Sequence, residues 1–236
     1  MATIHDPTKF ATMPVGRVAA MVPGAAAIFL RHGVDFCCGG EQSLAEAAAA
    51  RDLDLQGMIV SLVEMPDAMD DAWFDAETGS LIAHIRARYH DVHLRELPWL
   101  IRLAGKVEAV HKDNPAVSRG LTDLLTRISA EIRVHQQREE MILFPMMLRG
   151  GGAMIASAIA TMRAEHDDHG TALAQIDRLT HGRTAPAEAC STWNSLCAGL
   201  TKFHDDLTMH VHLENNILFP RFAGGPTEEK SEAPIA

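Results

Sequence analysis

The chain has 236 residues, of which 47% are hydrophobic and 5% aromatic, and its formal net charge is −10. This length allows one or two domains, and an acidic chain without a cluster of Lys or Arg argues against nucleic acid as the main partner. The longest apolar runs, residues 18–30 and 153–162, are shorter than the roughly 20 residues that span a bilayer, which argues against a membrane protein. The unusual feature of the composition is its 13 histidines.

The N-terminal part of the chain is predicted to be a small helical domain that spans residues 1–65. Its first residues, MATIHDP, lack the basic start and apolar stretch of a signal peptide, so a cytoplasmic location is expected. Ser43 and Glu46 fit a capping box, in which each side chain satisfies a free N–H group at a helix start. Residues 66–79 are polar and acidic and are predicted to be a linker, long enough to let the small domain approach the rest or swing away.

Residues 80–224 are predicted to form an up-down four-helix bundle, so the whole chain is expected to be all-α. Apolar residues recur at three- and four-residue intervals, and short connections force neighbouring helices to be antiparallel. Ser80 is expected to cap the first of these helices. Three prolines, Pro98, Pro145 and Pro220, are expected to kink or end their helices. The predicted helices span residues 81–111, 118–148, 153–181 and 186–222, and residues 225–236 are predicted to be a disordered tail.

The bundle contains an internal repeat. The sequence HQQREEMILFP of residues 135–145 matches HVHLENNILFP of residues 210–220, at an offset of 75 residues. The preceding helices match as well, because HDVH of residues 90–93 resembles HDDH of residues 166–169 at an offset of 76. The bundle is therefore interpreted as two copies of one helix pair, each with a His-Asp-x-His on its first helix and a His-x-x-x-Glu on its second.

The spacing within the repeat predicts a metal site. Residues four apart lie on one face of a helix, so each His-x-x-x-Glu presents an imidazole and a carboxylate together. Two helix pairs related by a pseudo-twofold axis would bring four imidazoles and two carboxylates into the bundle interior, where dinuclear metal centres are built. Such ligands suit iron best, with manganese or zinc as alternatives. The candidate ligands are His90, His135, Glu139, His166, His210 and Glu214.

Other residues of the repeat leave alternatives open. A single His-x-x-x-Glu is more often a modest surface contact than a metal site, and the second copy at a constant offset is what favours metal. His93 and His169 are expected to lie behind the ligands, with replacement of a ligand as the alternative. Glu131 and Glu165 could orient ligands or conduct protons and ions, or form a solvated face. Residues following a candidate ligand are expected to point away from the site; these are Asp91, Glu140, Asp167 and Asn215.

The four cysteines do not form a disulfide scaffold. Cys37 and Cys38 lie on a glycine-rich loop, where exposure and a nearby helix start favour reactive thiolates; the alternative is that they are merely small residues in a turn. A bond between adjacent cysteines would be strained and easily reduced, which suits a redox role. Cys190 and Cys197 are two helical turns apart, about 10.5 Å, beyond the ~7 Å limit for a bridge, and are expected to fill the core.

The repeat with its two histidine-bearing partner helices resembles a hemerythrin-like bundle. The segment VDFCCGG of residues 34–40, followed by a short Ala-rich helix, is similar to the N-terminal domain of the di-iron iron–sulfur cluster repair family. The resemblance extends from residue 14 to residue 222. It implies a non-haem centre of two iron ions with an oxo or hydroxo bridge, four histidine ligands and two bridging glutamates. Every ligand position of the family's motif is occupied in this sequence.

The family also implies a function. A member repairs or protects iron–sulfur clusters damaged by nitrosative or oxidative stress in the bacterial cytoplasm, by iron delivery, by binding and reduction of NO, or by both. Its partners are damaged iron–sulfur proteins and the small ligands NO or O₂, and Cys37 and Cys38 are its redox thiols. The alternative is a non-catalytic hemerythrin-like sensor or carrier of NO or O₂, for which a cysteine domain is unnecessary. The sequence leaves open whether the protein is an enzyme and whether it forms a homodimer.

Overall fold

The computed structural model describes residues 7–63 and 73–222. These residues are mainly helical and contain no β-strand, which confirms the predicted all-α fold. The first half of the predicted linker, residues 66–72, and the predicted tail, residues 225–236, lie outside the described residues.

The N-terminal unit consists of five short helices around a hydrophobic core of its own. Phe29 and Phe36 are fully buried in this core and their rings pack against each other, with 5.7 Å between the centroids. Ser43 Oγ accepts a hydrogen bond from the Glu46 backbone, and Glu46 Oε2 accepts one from the Ser43 backbone, which confirms the capping box. The helices are α1 (Pro7–Thr12), α2 (Val15–Met21), α3 (Ala25–Arg31), α4 (Leu44–Ala49) and α5 (Leu55–Val63).

Four long bundle helices follow, and π turns interrupt three of them. The first is α6 (Thr78–Ile85), a π turn (Arg86–His90) and α7 (Asp91–Val110); the second is α8 (Leu121–Arg138), a π turn (Glu139–Leu143) and α9 (Phe144–Leu148). The third is α10 (Ile155–Leu179), and the fourth is α11 (Ser191–His212), a π turn (Leu213–Leu218) and a 3₁₀ turn (Phe219–Phe222). α7 packs against α8 and α11, and α10 packs against the same two helices. The predicted four-helix bundle is confirmed.

One local prediction about the bundle helices was wrong, and Pro98 does not end its helix. Ser80 does not cap the first helix, because α6 already begins at Thr78 with the extended residue Glu77 at its N-cap, so the last two residues of the predicted linker are helical. Of the two outcomes expected at Pro98, a kink or an end, the end does not occur: α7 continues through it, and the nearby Leu97 and Leu100 are buried in the bundle core and hold the helix in place. Core packing here outweighs the hydrogen bond that proline removes.

The N-terminal unit is docked on the fourth bundle helix. Asn216 Nδ2 donates a hydrogen bond to the Phe36 carbonyl at 2.9 Å, and the Phe36 ring meets the His212 ring edge-on at 5.1 Å. Met209 packs against the core of the N-terminal unit from the bundle side. The N-terminal unit and the bundle are therefore in contact, which is one of the two arrangements that the predicted linker was expected to allow.

Glycine at position 16 makes this close docking feasible. Gly16 lies in α2, and a Cβ atom at this position would overlap the Asn216 side-chain oxygen and come within 3.1 Å of the Gly40 Cα. Asn216 has little freedom to move away, because its Nδ2 also lies 3.0 Å from His212 Nδ1. The absence of a side chain at Gly16 therefore sets the distance between the two units.

We predict that Gly16→Ala destabilises the protein by about 1–3 kcal/mol, because the added methyl group overpacks this contact. Urea unfolding of the full chain measures the change. Gly105→Ala is the matched control, since Gly105 also lies in a helix but its Cβ would meet nothing closer than 3.7 Å. The control is expected to stabilise the protein by about 0.5–1 kcal/mol through helix propensity. Equal effects of the two substitutions would contradict the docking role of Gly16.

Candidate metal centre

Four buried histidines meet in the middle of the bundle, one from each bundle helix. His90 comes from the π turn of the first, His135 from α8, His166 from α10 and His210 from α11. The Nε2 atoms form two close pairs. His90 and His210 Nε2 are 3.0 Å apart, and His135 and His166 Nε2 are 3.1 Å apart. Each pair therefore presents two imidazole nitrogens to one point.

Two fully buried glutamates lie between the histidine pairs. Glu139 Oε2 is 3.5 Å from His90 Nε2 and 3.3 Å from His135 Nε2, so it contacts one member of each pair. Glu214 does the same, with Oε1 at 3.2 Å from His210 Nε2 and Oε2 at 3.1 Å from His166 Nε2. The six side chains form two groups of four potential ligands, and both groups contain both glutamates.

The π turns explain a wrong prediction about the residues beside the glutamates. Glu140 and Asn215 were expected to point away from the site, but each hydrogen-bonds a histidine of it. Both lie in π turns, Glu139–Leu143 and Leu213–Leu218. A π turn closes by i→i+5 bonds and is wider than an α-helical turn. Two consecutive side chains can consequently face the bundle interior. In the sequence, the feature that could have indicated a shared role for Glu140 and Asn215 is that they are related by the 75-residue offset of the repeat.

Three of the histidines are held by a partner at Nδ1. His90 Nδ1 lies 2.9 Å from Glu140 Oε1, His135 Nδ1 lies 2.8 Å from Glu165 Oε2, and His166 Nδ1 lies 2.9 Å from Asn215 Oδ1. These oxygens accept hydrogen bonds from the Nδ1–H groups and orient each ring with its Nε2 towards the centre, as in metal sites. Of the possibilities considered for Glu165, the orienting contact is present.

Glu131 and the repeated histidines His93 and His169 do not join the ligand groups. Glu131 is half exposed and pairs with Arg127, as a solvated helix face does. His93 and His169 are buried behind the ligands, with ring centroids 5.5 Å from His210 and 4.8 Å from His135, respectively. Burial and the neighbouring imidazoles lower the pKa of His169 to about 2, which keeps it neutral. Asp91 and Asp167 are exposed, as expected.

The electrostatics of the centre favour ionised glutamate. Burial raises the pKa of Glu214, but the facing imidazoles of His210, His166 and His90 outweigh burial and hold that pKa well below its ordinary value. Conversely, burial lowers the pKa of His135, whereas the negative charges of Glu139 and Glu214 raise it to about 9. The negative charge of the buried carboxylates is thus balanced by protonated imidazole beside them.

The donor set fits a metal, because several of its buried polar atoms lack a hydrogen-bond partner. The atoms without a hydrogen-bond partner include both carboxylate oxygens of Glu139 and Oε2 of Glu214. A buried carboxylate oxygen without a partner is costly, and a bound cation removes that cost. Neutral imidazoles together with carboxylates are suitable ligands for first-row transition metals.

The cysteine loop lies against the third bundle helix. Cys37 and Cys38 are free and half buried, with their sulfur atoms 3.7 Å apart, and Cys38 Sγ is 3.4 Å from the His166 carbonyl. The expectation of exposed thiolates was wrong for Cys37. The hydrogen bond with Cys38, burial, and the negative charges of Cys38 and Asp35 raise the pKa of the Cys37 thiol well above its ordinary value.

The second cysteine pair is split between core and surface. Cys197 is buried in the bundle core as expected. Cys190 is exposed at the N-cap of α11, where its sulfur lies 3.3 Å from His111 Nε2. The hydrogen bond with His111 and the backbone N–H groups of the helix start lower the pKa of Cys190 to about 7. His111 and Cys190 are 79 positions apart in the sequence, and no sequence pattern connects them.

No helix within residues 7–63 and 73–222 has the length and apolar character needed to cross a membrane.

Comparison with known proteins assigns both parts of the chain. A family model described as "Hemerythrin HHE cation binding domain" matches residues 81–222, and one described as "Domain of Unknown function (DUF542)" matches residues 11–65. The iron-sulfur cluster repair protein YtfE of Citrobacter koseri is 42% identical over 92% of this chain and 99% of its own length. The protein of the same name from Escherichia coli O81 is 44% identical over 90% of this chain and 97% of its own length. The chain therefore belongs to the hemerythrin HHE cation-binding family and, along nearly its whole length, to the family of the YtfE iron-sulfur cluster repair proteins.

Proposed function

We propose that this chain is a di-iron protein that repairs or protects iron–sulfur clusters damaged by nitrosative and oxidative stress. The observation that carries the proposal is the buried donor set in which Glu139 and Glu214 each contact both histidine pairs. Two adjacent ions account for carboxylates shared in this way. The names of the relatives, iron-sulfur cluster repair protein, support the role in repair.

In this proposal each histidine pair would hold one ion: His90 and His210 the first, His135 and His166 the second. Glu139 and Glu214 belong to both groups and would serve both positions. Imidazole and carboxylate donors without a thiolate suit non-haem iron. When bound, the iron pair supplies redox chemistry and open coordination positions for a diatomic ligand such as NO.

The surrounding residues prepare the ligands and exclude water. Glu140, Glu165 and Asn215 accept hydrogen bonds from the Nδ1–H groups of three of the histidines, so these three rings are already oriented when an ion arrives. All six ligand side chains are buried, which keeps bulk water from competing for the site. The two groups of histidine and glutamate ligands contain two carboxylates as their anionic side chains. This small number supports iron delivery to a partner protein, because ferrous iron held by few charges is released readily.

Contacts of the cysteine loop favour repair over a simple sensor or carrier of NO or O₂. Cys38 Sγ lies 3.4 Å from the His166 carbonyl, so the thiols that this proposal gives a redox role are next to a proposed metal ligand. A reversible gas carrier has no use for a second unit that brings two thiols to this place. The docked loop therefore supports a function in which thiols and metal act together on a damaged partner.

We predict that Glu139→Ala or Glu214→Ala removes both irons rather than one, because each glutamate is shared between the two ions. Iron analysis of the purified protein measures this, with about two irons per chain expected for the unsubstituted protein. Glu131→Ala is the matched control, since Glu131 lies on the second bundle helix with Glu139 but is half exposed. The control should keep its irons. Full retention of two irons in either Glu139→Ala or Glu214→Ala would refute the bridging assignment.

We predict that Cys37→Ser/Cys38→Ser keeps its irons and its absorption spectrum but fails to restore activity to an NO-damaged iron–sulfur enzyme in an anaerobic assay. The substitutions leave the backbone contacts of the loop in place, so the metal site should stay intact. Cys190→Ser is the control for loss of a thiol and should still repair. If the unsubstituted protein never restores such an enzyme, yet binds NO or O₂ reversibly, the sensor or carrier function replaces the proposed one.

A further inference from the structure

One buried side chain connects the metal site to the cysteine loop. Asn215 Oδ1 lies 2.9 Å from His166 Nδ1, and Asn215 Nδ2 donates a hydrogen bond to the Cys37 carbonyl at 3.1 Å. Asn215 is only 4% exposed, so water does not compete for these bonds. Arg163 donates a hydrogen bond to the Asn215 backbone carbonyl at 2.7 Å and helps to fix this part of the π turn.

The corresponding residue of the other repeat makes no such connection. Glu140 lies one repeat before Asn215 and contacts His90 in the way that Asn215 contacts His166. Its second carboxylate oxygen pairs with Arg86 on the bundle surface, at 3.2 Å. An ionised carboxylate only accepts hydrogen bonds, so Glu140 cannot donate to a backbone carbonyl. Only the half of the site that contains His166 is joined in this way to the cysteine loop.

The two ends of the Asn215 amide cannot be exchanged without a penalty. The Cys37 carbonyl only accepts, so the amide must present its NH₂ group there and its oxygen to His166. That orientation requires a proton on His166 Nδ1, which leaves the Nε2 lone pair directed at the metal site. In the other tautomer, His166 Nδ1 accepts, the amide turns over, and its oxygen then faces the Cys37 carbonyl. Two acceptors would meet in a buried place.

We propose that Asn215 couples occupancy of the His135/His166 metal position to docking of the Cys37–Cys38 loop; this rests on the metal site of the proposed function. A metal on His166 Nε2 fixes the tautomer that holds the loop and covers the thiols. Without that metal, His166 can adopt either tautomer, and the hydrogen bond from Asn215 to the Cys37 carbonyl is weakened. The loop then loosens, and the two thiols become accessible. The coupling is reciprocal: a loop that is released weakens metal binding at this position.

Thiol alkylation of the full chain tests the coupling with a readout independent of repair activity. The metal-free and loaded proteins are treated anaerobically with N-ethylmaleimide, and mass spectrometry of the peptide containing Cys37 and Cys38 gives the rate. Ferrous iron and Mn²⁺ are the two loading metals, because Mn²⁺ prefers carboxylate to thiolate. Loading is expected to slow alkylation about fivefold or more, the range of ordinary coupling between sites.

Asn215→Asp separates the two contacts of the side chain. The aspartate still accepts from His166 Nδ1, as Glu140 does at His90, but it cannot donate to the Cys37 carbonyl. Metal should bind, whereas alkylation should be fast and equal with and without metal. Asn194→Asp is the matched control, because Asn194 Nδ2 also donates to backbone carbonyls, those of Ala189 and Cys190, but lies outside the metal site and the cysteine loop. This control should keep the full protection by metal. Protection by metal that persists in Asn215→Asp would overturn the proposal and indicate that the metal shields the thiols by another route.

A second measurement uses the unsubstituted chain and does not depend on how the variants fold. The loaded protein is alkylated at Cys37 and Cys38, and release of metal to a chelator is followed. One of the two metals is expected to leave about fivefold faster than before alkylation, while the other is unaffected. Unchanged release, or equal acceleration of both metals, would overturn the coupling. A chain that binds no metal at all would instead refute the proposed function, so the two failures are distinguishable.

Discussion

The sharing of two buried carboxylates between two pairs of histidines is the interaction on which the rest of the structure depends. Glu139 and Glu214 are completely buried, and three of their four oxygens lack a hydrogen-bond partner. Buried charge of this kind is tolerated only where opposite charge lies beside it. The four bundle helices meet this condition by placing one imidazole each at the same point. Metal binding is thereby linked to folding, because any ion that binds only the folded chain stabilises it.

The π turns and the docked N-terminal unit follow from the same constraint. A regular α-helix directs neighbouring residues to different faces, whereas the wider turns at Glu139–Leu143 and Leu213–Leu218 bring both a carboxylate and its neighbour inward. In the second repeat that neighbour is Asn215, whose amide also reaches the cysteine loop. The N-terminal unit therefore contacts the layer of side chains that orients the histidines, and Gly16 permits this short distance.

Much of this arrangement could be predicted from the sequence, because the repeat carries it. Periodicity of apolar residues gave the bundle, and the constant offset marked the six side chains that the structure brings together. The roles of Glu140 and Asn215 could not be derived from α-helical geometry, since they depend on π turns that the pattern does not show. The raised pKa of the Cys37 thiol and the pairing of Cys190 with His111 depend on how distant segments pack, and a local pattern carries no such information.

Magnetic measurement of the iron-loaded protein tests the shared carboxylates most directly. Two ferric ions joined by bridging ligands couple antiferromagnetically, so the protein with about two irons per chain should show no signal of isolated high-spin ferric iron in electron paramagnetic resonance at low temperature. Its magnetic susceptibility should fall towards zero on cooling. Full occupancy by two irons with the signal and the susceptibility of two independent ferric ions would contradict a site built around Glu139 and Glu214 as common ligands.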